Sequence, residues 1–259
     1  MRMALFMSML IGTATAASAS PWGAVAGPLR AVGEKRIFFG HQSVGANILD
    51  GLRDLAREHG TTLAIREANG TGDGPAIVDA RVGENTRPRT KIQAFARMMD
   101  EGWAARSDVA FFKFCYVDID AETDVQALFD EYVRTLADLK RRHPGVTWVH
   151  VTVPLTVTQT GLKGWLKNAL GKGAWGEREN VRRHQFNELL RARFAGKEPI
   201  FDLAQVESTT PDGKPHGFER DGRIYPSLVP AYSYDGEHLN ETGRKRAAAA
   251  LVQLLASIP

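Results

Sequence analysis

The sequence predicts a three-layer α/β/α sandwich around a mainly parallel five-stranded sheet, and three observations predict it. Short runs of β-branched and aromatic residues alternate five times with segments of helical period, the pattern of strands joined by crossover helices. No internal repeat and no linker divides the chain. Cys115 is the only cysteine, so no intrachain disulfide can form and the core must supply the stability.

Taken in order, Met1 to Ala19 has the form of a secretory signal: Arg2, an apolar run from Ala4 to Ile11, then small residues ending Ala17-Ser18-Ala19. The apolar run is too short to span a bilayer, and no cysteine adjoins the cleavage point to take a lipid anchor. Cleavage near Ser20 leaves about 240 residues, enough for one sizeable domain over 20–259. Ile37-Phe38-Phe39 suits a strand buried on both faces. Val44, Ile48, Leu49, Leu52, Leu55 and Ala56 then recur at helical spacing until Gly60. Thr61–Glu67 reads as the second strand and Ala76–Ala80 as a short extended piece. Between them the loop Asn69–Pro75 has the glycines of a turn without the lysine of a phosphate loop.

Ile92, Phe95, Ala96 and Met99 carry the next helical stripe. Val109–Val117 (VAFFKFCYV) is the strongest strand signal, and Lys113 in it reads either as snorkelling to solvent, the commoner arrangement, or as sitting below the site. A helix from Val125 to Leu139 closes at His143-Pro144-Gly145, and Thr147–Val153 follows as a buried strand in which His150 reads as a satisfied core histidine. Glu179–Phe194 is helical, Pro199–Leu203 is the fifth strand, and the last helix covers about Thr242–Ser257. Two stretches break the rhythm. Thr158–Gly176, where Trp and Leu alternate with Lys, reads equally as a lid or flap and as a packed connecting helix. Glu207–Tyr234, rich in Pro, Gly and aromatics, reads as a substrate wall.

The formal charge of +3 is too small to imply nucleic acid. Between Gly161 and Lys197, nine Lys or Arg stand against three Glu, a region able to meet an anionic surface or to form a solvated helix face. No other partner is expected beyond the substrate, and the chain is expected to be a monomer.

Ser43 stands at the bend between the first strand and its helix, in FGHQSVG. There a serine can cap the helix, or it can present its hydroxyl at the carboxyl edge of the sheet, where open α/β sheets bind ligands and helix N–H groups are free. The balance tips at Asp235-Gly236-Glu237-His238, just ahead of the last helix. An aspartate three residues before a histidine on such a loop can fix the tautomer of a base that takes a serine proton.

With these two blocks the sequence resembles the SGNH/GDSL hydrolase superfamily, almost end to end over residues 20–259. The resemblance implies the flavodoxin-like fold of that superfamily, Ser43 as nucleophile, His238 as general base and Asp235 as its orienting partner. It also implies an oxyanion hole made by the N–H groups of Ser43 and Gly83, the latter in VGENT. The third block departs from the family's G-x-N-D: in Cys115-Tyr116-Val117-Asp118, valine stands where the oxyanion-hole Asn should be. Losing one such donor costs roughly 3 to 4 kcal/mol, so a substitute is expected, with Asn85 first and the side chains of Tyr116 or Gln42 next. His41, Gln42, Tyr116 and Asp118 are further candidate substrate contacts, and His41 reads also as a residue that simply fills the turn. Cys115 reads as an inert small hydrophobe, and Asp118 and Asp120 read as caps of the next helix rather than metal ligands. No zinc or calcium pattern is present, and no metal or cofactor is expected.

The reading is an exported, periplasmic or secreted serine esterase that cleaves O-acyl esters of a glycan, or lipid or small esters. Its alternatives are an O-acyltransferase, and a non-catalytic envelope or carbohydrate-binding protein on the same fold.

Overall fold

The computed structural model describes residues 24–69, 74–158 and 176–259. The signal-like residues 1–19, residues 159–175 of the Thr158–Gly176 stretch and residues 70–73 of the glycine-rich loop lie outside them.

Strand β1 (Arg36–His41) is the centre of a parallel five-stranded sheet ordered β2-β3-β1-β4-β5, with β2 Ile65–Glu67, β3 Ala76–Arg81, β4 Val109–Phe112 and β5 Thr147–Trp148. After Val149 the chain continues as β6 (His150–Val151), which pairs in parallel with β7 (Ile200–Phe201) in a ladder of its own. An antiparallel hairpin, β8 (Gly217–Arg220) and β9 (Arg223–Pro226), completes the strands among the described residues.

Successive side chains of a strand point to opposite faces, and β1 sorts the helices accordingly. Ile37 and Phe39 join one core with α1 (Ala26–Gly33), α2 (Ser43–Glu58), the short α6 (Leu203–Glu207) and the last helix, α7 (Glu241–Ser257). Phe38 joins the other core with α3 (Pro88–Met98), α4 (Val125–Arg142) and α5 (Glu177–Phe194). All three side chains are buried, each worth roughly 2 to 3 kcal/mol against exposure.

The sheet differs from the expected one in its membership. Ala76–Arg81 is a full six-residue strand between β2 and β1. Its Asp79 carboxylate lies 3.0 Å from His41 Nε2 on the neighbouring β1. The Pro199–Leu203 strand contributes only Ile200–Phe201, and it pairs with β6 outside the five-stranded sheet. Lys113 does not snorkel: it is 1% exposed and its ammonium donates to Phe114 O at 2.9 Å. Burial holds its pKa below the ordinary lysine value. His150 is the satisfied core histidine expected. Tyr132 Oη and Glu198 Oε2 lie 2.7 and 2.9 Å from its two ring nitrogens, and Phe194 stacks on it at 3.6 Å.

Helices α2 and α7 run against each other at backbone contact. A Cβ on Gly51 would lie 2.2 Å from Arg244 O, and Arg244 Nε donates to Asp54 Oδ2 at 2.7 Å beside that crossing. This close approach brings the start of α2 beside the loop that leads into α7.

Candidate active site

Ser43 is the first residue of α2, and the capping position belongs to Gln42, whose backbone is extended. The serine hydroxyl is therefore not spent on the helix. His238 Nε2 lies 3.1 Å from Ser43 Oγ, and His238 Nδ1 lies 2.7 Å from Asp235 Oδ2. With a carboxylate on Nδ1, that nitrogen carries the proton and Nε2 turns its lone pair to the hydroxyl. Asp235 is fixed in turn by its other oxygen, which accepts the N–H groups of Glu237 at 2.8 Å and His238 at 2.7 Å. Burial pulls the Asp235 pKa upward, but the hydrogen bonds from His238 and Glu237 outweigh it and hold the carboxyl below its ordinary range. Tyr234 stacks on the outer face of the imidazole, ring centres 5.9 Å apart. Leu239 N–H donates to Asn47 Oδ1 at 3.2 Å, one turn along α2 from Ser43, tying the histidine loop to the serine helix.

Gly83 follows β3 with φ of 58°, and a Cβ there would lie 2.5 Å from Lys91 N. Glycine is required on both counts. Gln42 Nε2 donates to Gly83 O at 2.9 Å and to Val82 O at 3.1 Å, so the residue that caps the Ser43 helix also holds the glycine loop. Among the described residues no acceptor pairs with the Gly83 N–H, and the first N–H groups of α2 have no intrahelical partner.

Of the further candidates, four turn inward. His41 is 3% exposed, its nitrogens 2.8 Å from Gln42 O and 3.0 Å from Asp79 Oδ2, so it fills the turn beneath α2 instead of meeting substrate. Gln42 spends its amide on the two carbonyls and is a brace, not an oxyanion donor. Tyr116 is mostly buried and donates its hydroxyl to Glu237 Oε2 at 2.7 Å, which removes it from both the oxyanion and the substrate lists. Asp118 is buried and is neither a substrate contact nor a cap of α4, whose cap is Asp124. Asp120 likewise turns within its own loop, accepting from Glu122 N–H at 3.0 Å.

Asp118 instead clamps two loops. Its Oδ1 accepts Thr86 N–H at 3.0 Å, while Oδ2 accepts Cys115 N–H at 2.6 Å and the ammonium of buried Lys91. Thr86 is left-handed, with φ of 66°, a conformation a threonine keeps only where surrounding structure imposes it. Lys91 also donates to Asn85 Oδ1 at 2.9 Å. This fixes the Asn85 amide with its oxygen occupied and, among the described residues, no acceptor on its NH2. Lys91 was missed by sequence reasoning, although it lies four residues before Phe95 on the apolar stripe of α3. Cys115 is buried as expected, and its sulfur lies 3.7 Å from Ser43 Oγ.

Asp235, Glu237 and His238 are, among the described residues, the one group with spacing compatible with a metal. Each is already engaged, with His238, Tyr116 and Ser43 respectively; Asp235 and His238 form a hydrogen-bonded relay to Ser43, and Glu237 stands beside it. In the basic stretch, Arg178 pairs with Glu122, Arg191 with Asp202, and Arg183 is buried, while Arg193 and Lys197 are exposed. A cavity of about 1050 Å³ between the start of α4, α5 and β9 contains no residue of the relay.

The architecture matches solved structures at low sequence identity. A GDSL-like lipase from Bacteroides thetaiotaomicron superposes with a TM-score of 0.51 at 13% identity, covering 86% of this chain and 88% of its own. A peptidoglycan O-acetylesterase gives a TM-score of 0.51 at 13% identity, covering 92% of this chain and 95% of its own. The chain has the SGNH/GDSL hydrolase fold. No protein-family model and no curated protein matches its sequence. Within this fold, the relay lies at the carboxyl edge of the parallel sheet, where β1 ends at His41 and α2 begins at Ser43.

Proposed function

We propose that the chain is a serine esterase that cleaves O-acyl esters through an acyl-enzyme on Ser43. The observation that carries this is the unbroken relay from Ser43 Oγ through His238 to Asp235, with contacts of 3.1 and 2.7 Å. As Ser43 Oγ bonds to the ester carbonyl carbon, its proton passes to His238 Nε2, and Asp235 steadies the imidazolium. The carbonyl oxygen becomes an oxyanion facing the N–H groups of Ser43 and Gly83, with the Asn85 NH2 as third donor in place of the absent family Asn. Collapse breaks the bond to the leaving alcohol, which takes the proton from His238. Water then repeats the sequence on the acyl-enzyme, releasing the acid and restoring Ser43.

The substrate class we favour is an O-acylated glycan outside the cytoplasm. The signal-like pattern of residues 1–19 supports export, and no helix among the described residues is long and apolar enough to cross a membrane. That a peptidoglycan O-acetylesterase shares the fold shows such chemistry is compatible with this architecture. Fluorophosphonate labelling of wild type against Ser43→Ala, followed by acetyl to long-chain esters on glycan and small-alcohol carriers, tests the proposal. Ser43-dependent labelling with preference for acetylated glycan is expected. No Ser43-dependent labelling would point to a non-catalytic binding protein, and product acylated on a second sugar to an acyltransferase.

A further inference from the structure

His238 has a second acidic neighbour besides Asp235. One oxygen each of Asp235 and Glu237 and a ring nitrogen of His238 all lie within 4.8 Å of one another. The Glu237 carboxylate is held from outside its own loop: Tyr116 donates to its Oε2 at 2.7 Å across 121 residues of sequence. The same tyrosine ring stands edge-on to the imidazole, with centres 5.6 Å apart and planes at 83°. Tyr116 is itself pinned. Arg183 Nε donates to Tyr116 O at 3.0 Å, and its guanidinium lies 5.9 Å from the ring centre. Arg183 is fixed in turn by Thr156 Oγ1 at 2.9 Å and Asn180 Oδ1 at 2.7 Å.

We propose that Tyr116 and Glu237 are positioning residues for His238, with Glu237 supplying a second negative charge that favours the imidazolium formed when Ser43 gives up its proton. The proposal rests on the serine-esterase reading. A simple loop staple would need only the hydrogen bond. Here the tether ends on a charged group within Coulomb range of the ring, and its donor is also in contact with the ring. Burial, then the hydrogen bond to Glu237, pushes the Tyr116 phenol above its ordinary range, so it stays a donor wherever the enzyme works. The titratable and charged groups around the pair and the His238 ring are Asp235 and Tyr234 on the same loop, Cys115 at the start of the Tyr116 turn, and Arg183 on α5. Arg183 is the one permanent cation among them and draws on Glu237 from the side of Tyr116.

Glu237→Gln keeps the acceptor and the size and removes the charge. A unit charge about 4.8 Å away in a solvent-screened site changes the imidazolium population by about fivefold. We expect kcat to fall about fivefold with KM unchanged, and the acid limb of the pH–kcat/KM profile to move about 0.7 unit toward lower pH. The sign follows because an imidazole without the second carboxylate releases its proton more readily. Glu237→Asp, which keeps a carboxylate, should hold the limb within about 0.2 unit of wild type. Tyr116→Phe should lower kcat without moving the limb downward, since it frees the carboxylate and leaves its charge. An unmoved limb in Glu237→Gln overturns the proposal and leaves a structural staple. NMR titration of the His238 ring in a Ser43→Ala background, with and without Glu237→Gln, reads the same effect without turnover. A protein that failed the labelling test would lose the esterase reading, and an unshifted titration would independently sink the role of Glu237.

Discussion

Replacing Gln42 by Met keeps the length of the side chain and removes both of its donors. Its amide nitrogen serves Gly83 O at 2.9 Å and Val82 O at 3.1 Å. Two neutral hydrogen bonds in a half-buried setting are worth about 1 kcal/mol each, so stability should fall by about 2 kcal/mol. The larger effect is on rate. Gly83 holds φ of 58° with its N–H unspent among the described residues, and the Gln42 bond to its carbonyl is the link that sets the loop against the start of α2. Complete loss of one oxyanion donor costs roughly 10²- to 10³-fold in kcat; a donor that wanders instead of vanishing should cost about 10- to 100-fold, with KM little changed. Urea unfolding and steady-state kinetics on a short-chain ester check both numbers. A variant destabilised by about 2 kcal/mol that keeps wild-type kcat would show that the Gly83 loop holds its geometry without Gln42, and the oxyanion argument would fail. Rate loss without loss of stability would mean that the amide acts on substrate and not on the loop.

Two further outcomes concern buried charge. Lys91→Met leaves Asp118 buried against two backbone N–H groups without its ammonium partner, and should destabilise by roughly 3 to 5 kcal/mol in a denaturant melt; a loss under about 1 kcal/mol would mean that water reaches Asp118. Burial lowers the His150 pKa to about 4 from 6.5, so the native state binds fewer protons than the unfolded one. Its stability is then full above about pH 6.5 and is lost as pH falls toward 4, by about 3 kcal/mol in total. Calorimetric melts of wild type and His150→Gln across that range should show the slope in wild type and a shallower one in the variant; parallel slopes would refute the assignment.

The legible parts of the sequence were those written locally. Ser43 after an apolar strand, and Asp235 three residues before His238, are local patterns that the resemblance reads as a nucleophile and its base, and the structure brings them within hydrogen-bond reach. The unread parts depend on partners far along the chain. Asp79 has its partner, His41, on the neighbouring β1 and 38 residues away. Lys113, Lys91 and Asp118 carry charges that belong at the surface by residue statistics, yet Lys113 and Lys91 point into the fold toward acceptors that no window of sequence contains. Tyr116 reads as an oxyanion substitute or substrate contact because it stands beside Val117 in the third block; its partner Glu237 is 121 residues on.

The same buried charges bear on the absent family asparagine. With Val117 at that place, the turn Tyr116–Asp118 offers no side-chain amide to an oxyanion. What it offers is a carboxylate beneath the surface, and Asp118 uses it to bind Cys115 N–H on its own turn, Thr86 N–H on the glycine loop, and Lys91 below. Replacing a buried ion pair by apolar groups is often neutral or stabilising, so stability alone gives little reason to keep this one. Geometry gives a better reason. An oxyanion hole works through donors fixed before the charge arrives, and a loop built from a left-handed glycine and a left-handed threonine has no intrinsic preference for that shape. Gln42 holds the loop from the side of the nucleophile, while Lys91 and Asp118 hold it from beneath, and Lys91 also sets the orientation of Asn85. On this reading the missing donor is compensated by a loop held at several points, and removal of any one hold should lower kcat more than it raises KM.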